Sequence, residues 1–333
     1  MILGIALAVL SGVCNGLFTA PMKLQARWKW ENTWFVFIVV SCLLMPVSIL
    51  AATAPGWTRV LSGAPAGALS AAVGFGFAWG FGAIAFGRSV DLLGVAIANS
   101  VVIGLSSALG SLVPLVMGGR VELAPRILTL FAGVAAFLAG VALCGAAGLV
   151  RDRATTQHAA TPAPLTGYFF AAAAGVMSAV FNIGFTLALP ISRTGVRAGH
   201  SEFAATNCIW LLMLAAGAIP NLAFCAWLMR RNRTAKLLSG PASARGWIVA
   251  FVMGLLWGGS IFLYGAAVPR LGDIGPSIGW PLSLAVGLAV ANLMGILLGE
   301  WKTAGAAAVI RMRWGLAVLA AAILLCACSA RMS

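Results

Sequence analysis

Carboxylates are almost missing from this chain. Seven Asp and Glu stand among 333 residues, charged side chains of both signs make up only 8%, and histidine occurs twice. A soluble domain carries roughly a quarter charged residues, so this scarcity excludes one. The scattered acids and the isolated His158 and His200 offer no metal-ligand spacing and no clustered acid-base set. A membrane enzyme acting on a lipid-linked substrate needs such a cluster near one face, and the sequence does not supply it. The seven cysteines (14, 42, 144, 208, 225, 326 and 328) all fall in apolar segments, form neither a disulfide framework nor a zinc spacing, and read as small packing residues. The Gly-rich "GFGFAWGFG" lacks the Lys and the strand-to-helix setting of a phosphate loop, so it reads as a packing surface. Neither a metal nor a cofactor is expected.

What is abundant is apolar sequence, at 62% of the residues. Runs of about 20 apolar residues, long enough to cross a bilayer as helices, recur along the chain. They predict ten spans, at 2-21, 32-54, 66-87, 93-117, 126-149, 165-190, 203-229, 246-268, 273-299 and 307-329. A β-barrel needs short strands alternating polar and apolar, and that alternation is absent, so the expected fold class is all-α integral membrane. Forty glycines, mostly inside the spans, suit close helix packing in lipid. No Lys or Arg precedes the first span and no small-x-small cleavage site follows it, so it is expected to be retained.

The net charge of +14 raises the possibility of nucleic acid, but its placement points to lipid. Alternate connections put fourteen Lys and Arg on one side, from Lys23 to Arg313, and seven on the other. That bias predicts a cytoplasmic basic face with both termini outside, and anionic headgroups account for the charge without nucleic acid.

The chain also repeats itself. "SGVCNGLFTAP" from Ser11 and "SAVFNIGFTLA" from Ser178 share Ser, Val, Asn, Phe and Thr in register, and "AWGFGAIAFGRSVDLLG" from Ala78 aligns with "LWGGSIFLYGAAVPRLG" from Leu256. This predicts a 5+5 repeat, with units at 1-150 and 165-333 joined by a polar linker, 151-164. Five spans per unit is odd, so the second unit enters the membrane inverted, as in many secondary transporters.

Residues four apart lie within about 40° around a helix, so Ser11, Asn15 and Thr19 form one stripe and Ser178, Asn182 and Thr186 another. Inversion would let the stripes face each other. Asn amides match neighbouring sugar hydroxyls without charge, although polar residues at this spacing also serve as glue between membrane helices. Trp79 and Trp257 sit towards mid-span, where an indole is either a stacking platform or a space filler; Trp210 and Trp280 are weaker instances, and Tyr264 and Asn99 add a hydroxyl and an amide. Trp28, Trp30, Trp34, Trp57 and Trp301 fit an interfacial belt. All seven acids fall at span ends or in loops, which disfavours a cationic substrate and favours a neutral one. Glu31 and Glu202, near the starts of spans 2 and 7, form a symmetric pair that is either proton-coupling or merely helix-initiating. Lys23 reaches either a carboxylate such as Glu31 or the headgroups.

At "NGLFTAPMKLQARWKWENTW" the chain resembles the L-rhamnose/proton symporter family of the drug/metabolite transporter superfamily, with supporting pieces at "PNLAFCAW" and "GEWKTAG". The family pattern is matched at Asn15, Pro21, Lys23, Trp30, Glu31, Trp34, Glu300 and Trp301. The resemblance implies a bacterial inner-membrane protein that brings L-rhamnose or a related neutral sugar inward with a proton. It further implies that the proton is the coupling ion, with Glu31, Glu202 and Asp273 as candidate carriers. Where family members carry Tyr and Asp shortly before the Ile-x-Trp of span 9, this chain has Gly275, Pro276 and Ser277, and Asp273 is out of register. Metabolite or amino-acid export, as in other branches of the superfamily, is the competing reading.

Overall fold

The computed structural model describes residues 1–25, 27–119, 124–155, 164–240 and 243–332, with backbone alone at 91, 95 and 152–155. Residues 156–163 of the expected linker, Arg120, Glu122 and His158 lie outside the described residues. Among the described residues ten helices are long and apolar enough to span a membrane. They are α1 (Ile2–Leu24), α2 (Trp30–Thr53), α3 (Ala66–Val90), α4 (Ala96–Met117), α5 (Pro125–Arg151), α6 (Leu165–Arg197), α7 (Glu202–Arg231), α8 (Ser243–Leu271), α9 (Gly275–Leu297) and α10 (Ala306–Arg331). The fold is all-α and integral to the membrane, with spans in the expected order.

Prolines explain where the ends differ from expectation. The sixth span, expected over 165-190, continues through Pro190 to Arg197 as α6. Thr194 Oγ1 donates to the Pro190 carbonyl at 3.1 Å, and the helix closes one turn later at Gly199, whose φ of 91° a side chain would resist. At about 1.5 Å per residue these 33 residues exceed a ~30 Å hydrocarbon core, so α6 projects beyond it. In α1 the regular helix ends at Leu17, and a 3₁₀ turn led by Pro21 carries Ala20–Leu24. In α2 a π-helical stretch, Val39–Leu44, precedes Pro46, whose missing N–H suits a widened turn.

Side-chain bonds gather the helix ends onto two faces. On the basic face, Lys23 at the end of α1 pairs with Glu300 just beyond α9, and Arg151 of α5 lies 3.6 Å from the same carboxylate. There also the start of α2 is tied to the α7–α8 loop, since Asn32 Nδ2 donates to the Thr234 carbonyl at 3.0 Å. On the opposite face Arg126 of α5 pairs with Asp273 before α9 at 3.0 Å, and Arg270 approaches Glu202 at 3.9 Å. α5 thus meets the flanks of α9 at both membrane surfaces.

Between the faces, α1 packs on α8 and α9, α6 packs on α3 and α4, and α2 and α7 each touch a helix from the other half of the chain. α5 and α10 pair at the periphery, while Leu165, Phe169, Trp314 and Leu324 turn outward as a lipid-facing surface requires. Small residues permit the closest crossing. A Cβ at Gly12 would fall 2.6 Å from the Ser283 carbonyl oxygen, and one at Gly16 2.5 Å from that of Gly287, so α1 and α9 meet backbone to backbone. Gly12→Val or Gly16→Val should therefore force these helices apart and cost about 1–3 kcal/mol, read as a lowered thermal midpoint in detergent. Gly74→Val, at a position with open space, should leave the midpoint unchanged.

Candidate functional site: an uncharged central cavity

A cavity of about 240 Å³ lies within the helix bundle. This is just below the ~300 Å³ where pockets for drug-sized ligands begin, the scale of one small ring molecule. α1 contributes Ser11, Asn15 and Phe18, while α2 contributes Trp34 and Phe37. Trp79 and Phe86 come from α3, Asn99 from α4, Ser178 and Phe181 from α6, and Asn221 from α7. α8 and α9 complete it with Trp257, Ser260, Tyr264, Trp280 and Ser283. Among the described residues its lining carries amides, hydroxyls and aromatic rings but no charge.

The position of each lining residue along its helix shows which way the cavity opens. Phe18, Trp34, Phe86 and Asn99 stand within two turns of the basic face, whereas Tyr264 and Trp280 stand about 10 Å and about 8 Å inside the opposite face, counted at 1.5 Å per residue. The chamber therefore extends towards the basic face and has its floor at Tyr264 and Trp280.

Asn182 builds that floor. It is fully buried; its Nδ2 donates to the carbonyls of Gly110, at 2.7 Å, and Pro276, at 3.2 Å, and its Oδ1 accepts from the Tyr264 hydroxyl. Beside it Trp280 Nε1 donates to the Ser106 carbonyl at 3.1 Å. Four helices, α4, α6, α8 and α9, are thus stitched in one layer. Beyond this layer a second cavity faces the other side, lined by Thr186, Arg193, Asp273 and Ser277.

The structure brings some expected residues together and separates others. Trp79 and Trp257 stack on one another at 5.3 Å with planes 10° apart, one from each half of the chain, and both border the cavity. Asn15 and Asn99 border it as well, and among the described residues neither amide has a hydrogen-bond partner. The two stripes, however, do not face one another. Thr19 lies in the turn after Leu17 and is exposed, because the regular helix has already ended. Asn182 spends its amide on the floor, and Thr186, donating to the Asn182 carbonyl at 2.9 Å, borders the opposite cavity. Trp210 is fully buried behind Phe185, 4.3 Å away and 3° from parallel, outside the cavity lining.

None of the three expected proton carriers lines the central cavity. Glu31 is buried at the basic face and accepts from Asn232 Nδ2 at 3.0 Å and Thr234 Oγ1 at 2.9 Å. Glu202 is half exposed beside Arg270, and Asp273 borders the opposite cavity in its pair with Arg126. Lys23 reaches Glu300 and not Glu31, because the Pro21 turn carries it across to the end of α9.

A family model described as L-rhamnose-proton symport protein matches residues 1–330. The chain belongs to that family. Proteins named L-rhamnose-proton symporter share 27% identity over 312 residues in Cronobacter sakazakii, covering 91% of this chain and 90% of that one, and 25% over 313 residues in Yersinia pestis, with the same coverage. A solved crystal structure of another protein superposes over 99% of this chain and 98% of its own, with a TM-score of 0.60 and 17% identity, which establishes a shared fold and no more.

In this member of the L-rhamnose-proton symport family, sequence reasoning missed several cavity residues. Trp34 was placed in the interfacial belt, yet it borders the cavity and donates from Nε1 to Asn221 Oδ1 at 3.2 Å. Asn221 in turn donates to the Gly80 and Gly217 carbonyls, both at 3.0 Å, tying α7 to α3. An Asn directly after Pro220 in an apolar span was the available signal. Glu300 was noted only for its family match, yet with Asn99, Ser100, Arg151 and Asn292 it lines a polar side chamber of about 180 Å³. Asn99 borders both spaces, so this chamber adjoins the central cavity on the basic side.

The bonding pattern separates structural from free amides. Asn182→Ala should orphan the buried Gly110 carbonyl, which Pro114 has no N–H to serve, leave the Tyr264 hydroxyl only its 3.5 Å contact with the Pro276 carbonyl, and lower stability by about 1–3 kcal/mol, measured by thermal unfolding in detergent. Asn15→Ala and Asn99→Ala remove no bond and should leave the midpoint unmoved; an equal fall in all three would contradict the assignment.

Proposed function

We propose that the protein is a secondary transporter that takes up L-rhamnose, or a closely related neutral 6-deoxy sugar, together with a proton, by alternating access. One observation carries the reading: an uncharged, aromatic and amide-lined cavity, sealed on one side by the Asn182 layer, in a chain belonging to the L-rhamnose-proton symport family. The names of its relatives in Cronobacter sakazakii and Yersinia pestis support the choice of sugar and ion.

In this reading the paired indoles of Trp79 and Trp257 offer ring surface at the cavity wall for the C–H face of the pyranose and its methyl group. The free amides of Asn15 and Asn99 donate to and accept from neighbouring hydroxyls, with Ser178 and Tyr264 alongside. Trp280 shapes the floor. Asn182 acts through Tyr264 as a positioning residue, and Thr186 and Thr19 lie on the approaches. A neutral site matches a neutral ligand, since a buried charge without a partner would cost several kcal/mol.

Alternating access requires two packings of similar energy. The reciprocal pairing of α1 with α8 and α9, and of α6 with α3 and α4, supports two inverted units, 1-150 and 165-333, joined through 151-164. The excess of Lys and Arg supports a cytoplasmic basic face, both termini in the periplasm and residence in the bacterial inner membrane. The cavity in this structure then opens inward.

Proton coupling we assign to Asp273, which borders the cavity on the periplasmic side. Protonation there would discharge its pair with Arg126 and loosen the start of α9, whereas Glu31 and Glu202 serve as helix-start anchors.

Uptake of radiolabelled L-rhamnose into proteoliposomes, with and without an inward proton gradient, tests the reading. Gradient-driven accumulation is expected; uptake of no neutral monosaccharide under any gradient would end it. Trp257→Ala and Asn15→Ala should each raise the half-saturating sugar concentration about tenfold, the loss of roughly one good contact. Asp273→Asn should abolish the response to the gradient while sparing sugar counterflow, and Glu31→Gln and Glu202→Gln should retain coupling.

A further inference from the structure

Two polar side chains in α7 are buried with nothing to bind. Asn207 is fully buried, and among the described residues neither its Nδ2 nor its Oδ1 finds a partner. Exchanging the amide nitrogen and oxygen would not help, because both are unbonded. Three residues later the fully buried Trp210 has an unbonded Nε1, pressed against Gly265 of α8. Such orphaned groups are rare in folded proteins, and each costs free energy that a packed apolar side chain of similar shape would not.

Their location suggests what they await. Counted from Glu202 at about 1.5 Å per residue, Asn207 lies roughly 8 Å and Trp210 roughly 12 Å inside the face opposite the basic one. Trp210 backs directly onto the floor of the central cavity, with its ring centre 5.5 Å from Phe181 and 6.3 Å from Tyr264. One turn of α7 therefore holds an amide on the sealed side of the Asn182 layer and an indole N–H level with that layer. The Ser192 and Thr206 hydroxyls, 3.3 Å apart, join the α6 and α7 backbones in the same stretch.

We infer that Asn207 and Trp210 form a second sugar subsite, used when the protein opens to the opposite face and closed in the present state. The ligand class is a neutral pyranose presenting adjacent hydroxyls: the Asn207 amide donates and accepts, and the Trp210 N–H donates. The inference rests on the transport reading above. It also accounts for the lack of partners, since groups that bind substrate in one state are left unpaired when packing closes over them in the other. Gly265 keeps the indole edge clear of a side chain, so the N–H is not shielded once α7 and α8 part.

The test compares wild type with Asn207→Leu, which fills the same space without polar atoms, and Trp210→Phe, which keeps an aromatic ring and deletes the donor. L-Rhamnose transport is measured in membrane vesicles of both orientations, and thermal unfolding in detergent. The subsite predicts that Asn207→Leu unfolds at the wild-type temperature or above, whereas Trp210→Phe, which loses buried packing, is read by transport alone. The half-saturating sugar should rise about tenfold from the face opposite the basic one and stay unchanged from the basic face. An Asn207→Leu unfolding temperature that falls, with the half-saturation values of both variants unchanged, would overturn the inference and make Asn207 the holder of a buried structural water. Equal weakening from both faces would overturn it too, by placing the effect in the central cavity. A wild type that moves no sugar would instead sink the transport reading itself.

Discussion

The structure turns on one amide. Asn182 binds the Gly110 and Pro276 carbonyls and the Tyr264 hydroxyl, so a single side chain links α4, α6, α8 and α9 across the middle of the bundle. In the hydrocarbon region water cannot satisfy those groups, and each unmade bond would be felt in full. The central chamber lies on one side of this knot, and the second cavity, at Thr186 and Asp273, lies on the other, with the knot between them. In the transport reading the same bonds that hold the fold together also hold the passage shut, and opening the opposite face would require them to be exchanged for others. An exchange with substrate or water is cheap in net terms, whereas simple breakage is not.

Aromatic surface organises the chamber above that layer. Trp30 stacks on Trp34 at 5.2 Å, Trp34 tilts against Phe37 at 4.7 Å, and Phe37 meets the edge of Trp257, which lies flat on Trp79. The ring series runs from the basic surface to the cavity wall, with Asn221 fixing Trp34 from behind.

Much of this was legible in the residues. Scarce charge and ten apolar runs led directly to the membrane and to the span count, because backbone satisfaction in lipid leaves few alternatives. Mid-span indoles at Trp79 and Trp257 were singled out from depth alone, and they meet in space. The matched Asn residues misled for a physical reason: a shared register fixes the face of a helix, but Pro276 and Gly110 lie opposite Asn182, whereas Asn15 meets Gly287 and open space. Prolines hid other features. Pro190 is an interior residue of a helix longer than its expected span, Pro220 precedes the unread Asn221, and Pro21 swung Lys23 away from the nearer acid. Asn207 carried no signal in the sequence at all, since its distinction is what it does not touch.

The neutrality of the chamber also bears on energetics. For a proton symporter built around it, neither ligand nor lining carries charge, so the only charge crossing the membrane in each cycle is the proton's own. Uptake would then be electrogenic. A membrane potential of about 100 mV contributes ~2.3 kcal/mol per proton, enough by itself to hold sugar inside at nearly fiftyfold its outside level, before any difference in pH is added.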